Sequence, residues 1–239
     1  MKTILFDGCS WTKGWGLEGE EKNFQKQEKE RWSTLVSDYF GTDHVNLSKS
    51  GKCNDGILRT TIEYCENNKV DFAVIQFTKS NRREIINYKG VLESDKNYYY
   101  QLRSGKNKND KAAILYYKNL NTQEDNIANF YKNKFLIEFY LKVKKIPYYF
   151  IQLNMRENLE LPKKFQPSSW QLISDPEPVT CLYDIVGGKG FANTPYLFPY
   201  KGSHVGGGPP NTIGGGHPNT EGHRKIADHI IYTLSNKIK

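Results

Sequence analysis

The chain has 239 residues, a net charge of +8 and 37% hydrophobic residues, with a mean hydropathy of −0.70. That is enough chain to bury the core of one domain, and no apolar run approaches the ~18 residues that cross a bilayer. Scattered lysines, with no RNA-recognition, helix-turn-helix or zinc-finger pattern, read as a solvated surface and argue against a nucleic-acid partner. The four cysteines (Cys9, Cys53, Cys65 and Cys181) form no CxxC pair and suggest no disulfide framework. One lysine and a short apolar run before Asp7 are too little for a signal-peptide core, so a cytoplasmic location is expected.

The first strand is expected at 2–6, followed by the small-residue turn Gly8-Cys9-Ser10 and a charged, glycine-bearing loop over 12–29. Trp32, Leu35, Val36, Tyr39 and Phe40 recur at helical spacing, and Gly41 stops that helix. Val45-Asn46-Leu47 is a short second strand. Asn54 or Asp55 is placed to cap a helix carrying Ile57, Leu58, Thr61, Ile62 and Cys65. Phe72-Ala73-Val74-Ile75-Gln76-Phe77 is read as a continuous apolar strand of the kind buried on both faces.

The rhythm then breaks over about 85–123, which holds Tyr98-Tyr99-Tyr100 and a Lys/Asn-rich stretch at 106–111. A long helix over roughly 124–143 leads through Pro147 into a fourth strand at 148–153. Residues 156–216 are rich in Pro and Gly and show no period, and segments of that length are usually functional or disordered. The final helix is expected to begin near Thr220. Alternating strands and helices predict a parallel, doubly wound α/β sheet in one domain over 1–239, with ligands at the carboxyl ends of its strands.

Ser10 falls at one such end, and His217 stands before Pro218 at the start of the last helix. Serine is a poor nucleophile unless a base lies within hydrogen-bond reach, and histidine is the usual base. Each residue also has a plainer role. Ser10 suits the cap of a following helix, His217 a loop packed by its proline, and Gly51 a simple turn. Trp11 and Trp15 read as packing residues, and Cys9 is a second, weaker candidate nucleophile beside Ser10.

The order strand, Gly8-Cys9-Ser10, helix, short strand, Asn46-Leu47-Ser48-Lys49-Ser50-Gly51, helix and late His217-Pro218 resembles the SGNH/GDSL hydrolase superfamily. More narrowly it resembles a phage and bacterial branch whose first block reads Gly-Cys-Ser-aromatic-Thr-x-Gly. The resemblance covers the core and not the insertions at about 85–123 and 156–216. It implies a three-layer α/β/α sandwich with a mainly parallel, flavodoxin-like sheet. It also implies a serine esterase acting on a small polar or carbohydrate ester, in one form an O-deacetylase. Ser10 would be the nucleophile and His217 the general base; the N–H groups of Ser10 and Gly51, with an Asn54 or Asn81 side chain and Asn54 preferred, would form the oxyanion hole. No cofactor is implied.

Two departures stand out. The family's aspartate three residues before the histidine is Gly214 here, and no acid lies between 185 and 217. The histidine is then oriented by a backbone carbonyl in a dyad, or by an acid such as Asp184 or Asp175. The family's Gly-x-Asn-Asp after the third strand is replaced by Phe77-Thr78-Lys79-Ser80-Asn81-Arg82. These departures admit an alternative, a catalytically silent relative that binds a glycan or anionic ligand through Lys79, Arg82, Arg83 and the tyrosine-rich insertion. Other motifs fail: Thr12 breaks the Gly-x-Ser-x-Gly elbow, and the glycine clusters at 206–208 and 214–216 lack a P-loop lysine. His204, His217 and His223 have no carboxylate or thiol at metal-ligand spacing.

Overall fold

A computed structural model describes residues 2–15, 17, 23–86, 99–102, 111–153, 180–186 and 217–237. In chain order these form β1 (Thr3–Asp7), α1 (Ser10–Lys13), α2 (Phe24–Glu30), α3 (Trp32–Phe40), β2 (Asp43–Asn46), α4 (Asn54–Asn67) and β3 (Phe72–Phe77). There follow β4 (Arg83–Ile86), β5 (Tyr99–Leu102), α5 (Lys111–Asn119), α6 (Gln123–Val143), β6 (Tyr148–Gln152), β7 (Thr180–Cys181), α7 (Leu182–Ile185) and α8 (Thr220–Lys237). The main sheet has the order β2-β1-β3-β6-β7, and every pairing in it is parallel.

Because side chains alternate across a strand, each strand feeds two cores. Ile4, Phe6, Val74 and Ile151 face one layer with Trp32 and Val36 of α3 and Ile226, Ile230 and Leu234 of α8. Leu5, Ala73, Ile75, Phe77 and Phe150 face the other, with Ile57 of α4 and Phe130, Ile137 and Leu141 of α6. The sheet is therefore sandwiched between helices, in the three-layer arrangement expected. Trp32, wholly buried, stands edge-on to Phe6 with ring centroids 5.4 Å apart, a favourable quadrupole geometry.

The structure corrects three local expectations. The span 12–29 is not all loop: α2 begins behind Asn23, whose side chain accepts from Lys26 N–H at 3.0 Å. The cap of α4 is Cys53, whose sulfur accepts from Gly56 N–H at 3.3 Å, while Asn54 and Asp55 fall inside the helix. The stretch 85–123 contributes an antiparallel pair, β4 with β5, and helix α5. Arg59 grips Glu84 of β4 through two nitrogens at 2.9 and 3.0 Å. The Tyr117 hydroxyl of α5 lies 2.9 Å from Asn81 O and 3.0 Å from Leu102 O. That segment is thereby fastened just past the carboxyl end of β3. Most of 156–216 lies outside the described residues.

Candidate active site

The site is built where β1 ends. Asp7 closes the strand, Gly8 and Cys9 turn the chain, and Ser10 opens the short helix α1. Gly8 is required by close approach: a methyl group there would sit 2.8 to 2.9 Å from the Gln76 side chain. Ser10 does not serve as a helix cap, since Cys9 holds that position without a side-chain bond. Instead its Oγ lies 2.9 Å from His217 Nε2, although 207 positions separate the two residues. The hydroxyl donates to Nε2 when the ring proton sits on Nδ1.

The residues after His217 bring it to this point. Pro218 disfavours a helical conformation in the residue before it, and Asn219 then starts α8 by accepting from Gly222 N–H at 2.9 Å. The Thr220 hydroxyl bonds Glu30 at 2.6 Å, anchoring the start of α8 to α2. The Trp15 ring stands beside the imidazole with centroids 6.5 Å apart and is 44% exposed. Trp15 is thus a wall of the site, unlike Trp11, which is packed inside.

Gly51 adopts φ +75°, the left-handed region that glycine enters freely. Its turn abuts the serine turn, because Lys49 N–H donates to Gly8 O at 3.3 Å. Asn54 departs from the sequence expectation. It is fully buried, its Oδ1 accepts from Thr78 N–H at 2.8 Å, and its Nδ2 donates to Thr78 O at 3.2 Å. Through these two bonds the carboxamide ties the start of α4 to the end of β3, with one Nδ2 hydrogen committed to Thr78 O and the side chain closed from solvent. Asn81 lines a separate cavity of about 270 Å³ with Ser80, Asn121, Gln123, Asn126 and Ile127.

Among the acid candidates, Asp184 falls in α7 directly after β7, and Asp175 lies outside the described residues, as do Gly214 and His204. The basic cluster is largely committed within the fold. Arg83 bonds Asp125 Oδ2 at 2.5 Å and Asp125 O at 2.9 Å, and Arg82 bonds Thr78 Oγ1 at 2.8 Å. Cys9 is fully buried and its thiol donates to Gln76 Oε1 at 3.3 Å, which removes it as a rival nucleophile.

Sequence reasoning overlooked three residues that hold the turn. Gln76 is the one polar residue within β3 and is fully buried. Its Oε1 accepts from Cys9 N–H at 3.1 Å and Thr12 Oγ1 at 2.8 Å, so it fixes both flanks of Ser10. A lone glutamine in an otherwise apolar strand was the available signal. Asp7 and Lys52 form a buried ion pair beneath the site. Burial pushes the Asp7 carboxyl up and the Lys52 ammonium down, and their mutual attraction opposes both shifts. His223 is fully buried, with Nδ1 accepting from Trp32 N–H at 3.2 Å, which makes it a structural residue of α8.

No protein-family model and no curated protein matches the sequence. Solved structures do. A putative lipolytic protein of the G-D-S-L family from Desulfitobacterium hafniense DCB-2 aligns over 97% of this chain and 99% of its own, with a TM-score of 0.52 at 10% identity. The acetyl xylan esterase Est2A from the rumen bacterium Butyrivibrio proteoclasticus aligns over 99% of this chain with a TM-score of 0.50 at 14% identity. A carbohydrate esterase described as having divergent catalytic and non-catalytic binding functions aligns over 98% of it, with a TM-score of 0.52 at 15% identity. The chain spans 64% and 65% of the latter two proteins. At such identities the likeness establishes the fold, which is that of the G-D-S-L lipolytic proteins and these esterases.

Proposed function

We propose that this protein is a serine ester hydrolase of the SGNH type, acting on a small polar or carbohydrate ester, with acetyl as the favoured acyl group. The observation that carries the reading is the 2.9 Å contact between Ser10 Oγ and His217 Nε2 at the carboxyl edge of a parallel sheet. In this reading Ser10 attacks the ester carbonyl as its proton passes to Nε2. The N–H groups of Ser10 and Gly51 take the oxyanion, each such donor contributing about 3 kcal/mol to the transition state. Collapse of the intermediate expels the alcohol, which receives the proton from His217, and leaves an acyl-serine. Water then repeats the sequence and frees the acid. The histidine is oriented by a backbone carbonyl or by Asp184 or Asp175. The carbohydrate side of the substrate rests on the esterase neighbours and on Trp15, whose exposed ring beside His217 suits stacking on a sugar. The first block, Gly8-Cys9-Ser10-Trp11-Thr12-Lys13-Gly14, supports membership of the phage and bacterial branch of the superfamily.

The test is a fluorophosphonate probe, which reports an activated serine. Labelling of the protein that disappears in Ser10→Ala is the expected result, and p-nitrophenyl esters of increasing length then bound the acyl group. An unlabelled protein, or labelling that survives Ser10→Ala, would overturn the assignment.

A further inference from the structure

Directly beneath the Ser10 turn lies a charge pair that no step of acyl transfer uses. Asp7 ends β1, and Lys52 immediately follows Gly51; their side chains are 0% and 2% exposed. Each of the three ammonium hydrogens has an acceptor: Asp7 Oδ1 at 2.5 Å, Thr60 Oγ1 at 2.6 Å and Leu47 O at 3.0 Å. The carboxylate also accepts from Gly8 N–H at 2.7 Å, Thr60 Oγ1 at 2.6 Å and Thr61 Oγ1 at 3.2 Å. The network is therefore fully satisfied on both partners.

Stability alone accounts poorly for such an arrangement. Desolvating two charges offsets most of what their attraction returns, and apolar residues of similar volume often serve as well or better. An apolar pair lacks direction, however, and direction is what this network supplies. Through Asp7 it holds Gly8 N–H, two residues before Ser10. Through Lys52 it holds Leu47 O and the residue next to Gly51, and through Thr60 and Thr61 it fastens both to α4. Two backbone segments far apart in sequence are thus locked to a common point within hydrogen-bond tolerance.

We infer that Asp7 and Lys52 are positioning residues, which set the Gly51 turn against the Ser10 turn and so fix the spacing of the two N–H groups that receive the oxyanion. The inference rests on the ester-hydrolase reading for its catalytic consequence, but the positioning itself is measurable without turnover. Displacements of about 1 Å at a reacting centre lower rates about 100-fold, which is the scale expected when the lock is removed.

The test variant is Asp7→Asn with Lys52→Met. The carboxamide at position 7 still accepts from Gly8 N–H and donates to a threonine hydroxyl, and the thioether fills the lysine's path without charge. With p-nitrophenyl acetate, kcat is expected to fall about 100-fold while KM stays within about threefold, since a lost transition-state contact lowers kcat and not ground-state binding. Amide exchange at Lys49 and Lys52, whose N–H groups donate to Gly8 O and Lys49 O, should quicken about tenfold or more while exchange in α8 is unchanged. Should the double variant fail to fold, Thr60→Val removes only the bridging hydroxyl; it should lower kcat about tenfold, again at constant KM. Unchanged kcat in a folded variant, or unchanged exchange at Lys49 and Lys52, would overturn the inference. A wild-type protein that neither turns over nor takes the fluorophosphonate would sink the esterase reading instead, and the exchange measurement would still decide whether the pair positions the Gly51 turn.

Discussion

Replacing His223 with asparagine isolates the acid sensitivity built into the start of α8. The imidazole is fully buried, its Nδ1 accepts from Trp32 N–H, and its Nε2 has no partner among the described residues. Burial first, and then the neighbouring His217, push its pKa down to about 3. In the unfolded chain the same group titrates near the ordinary value of about 6.5. The sign comes from proton counts: between those two values the unfolded state holds a proton that the native state refuses, so stability falls as pH drops. The contribution is negligible at pH 7.5 and reaches about 2 to 3 kcal/mol of destabilisation at pH 4.5, at roughly 1.4 kcal/mol per pH unit. The carboxamide oxygen of His223→Asn can still accept from Trp32 N–H, but the side chain cannot take a proton. The variant should be somewhat weaker than wild type at pH 7.5, because a buried ring has been trimmed. Its further loss on acidification should be smaller by about 2 to 3 kcal/mol. Urea unfolding of both proteins at pH 7.5 and 4.5 reads this directly. His44 and His229, which burial also holds below the ordinary histidine range, are present in both and cancel in the comparison. Equal acid losses in the two proteins would refute the reasoning.

Three further outcomes are expected. Lys52→Met alone strands the buried Asp7 carboxylate and should lower stability by about 3 to 5 kcal/mol in urea unfolding, more than the neutralised double variant loses; a single variant as stable as the double would contradict the pairing argument. Gly8→Ala drives a methyl group into Gln76 and should destabilise by about 1 to 3 kcal/mol, with a larger proportional loss of esterase rate because the serine turn must shift; a melting temperature equal to wild type would show that the turn has room. All four cysteines are free and buried, and burial raises the Cys53 thiol to about 12 and the Cys65 thiol to about 11. A thiol reagent should therefore modify the native protein only at the rate of unfolding, and rapid modification of either residue would count against that picture.

The alternation of apolar runs with 3.6-residue periodicity was enough to read the parallel sheet, and β3 falls on the expected residues 72–77. That legibility has a physical origin: a strand covered on both faces must be apolar throughout, and a helix covered on one face must be apolar at every third or fourth position. Ser10 and His217 were also legible as a pair, because a small-residue turn after a strand and a histidine before proline at a helix start are local features. Their 2.9 Å contact is not local. It depends on α8 sharing a core with α3, through Trp32 and Val36 on one helix and Ile226, Ile230 and Leu234 on the other, and on the anchor from Thr220 to Glu30.

What the tertiary structure alone decided was the fate of polar side chains in the interior. The sequence offered Asn54 as a helix cap and, through the family resemblance, as an oxyanion donor, whereas in the folded chain its carboxamide bonds both the N–H and the C=O of Thr78. Arg82 and Arg83 read as a solvated charged face or, in the alternative, as part of a ligand-binding patch, and the fold instead engages them with Thr78 and Asp125. Asp7, at a strand end, and Lys52, in the turn before α4, carry little signal in the linear chain, because charges at such places are ordinarily solvated, and the lone Gln76 of β3 signals burial without naming its partners. The partners that make their burial tolerable come from segments as many as 67 residues away. Periodicity reports which face of an element is covered; it carries no record of which distant group completes a hydrogen bond, and in this protein those distant bonds hold the serine turn in place.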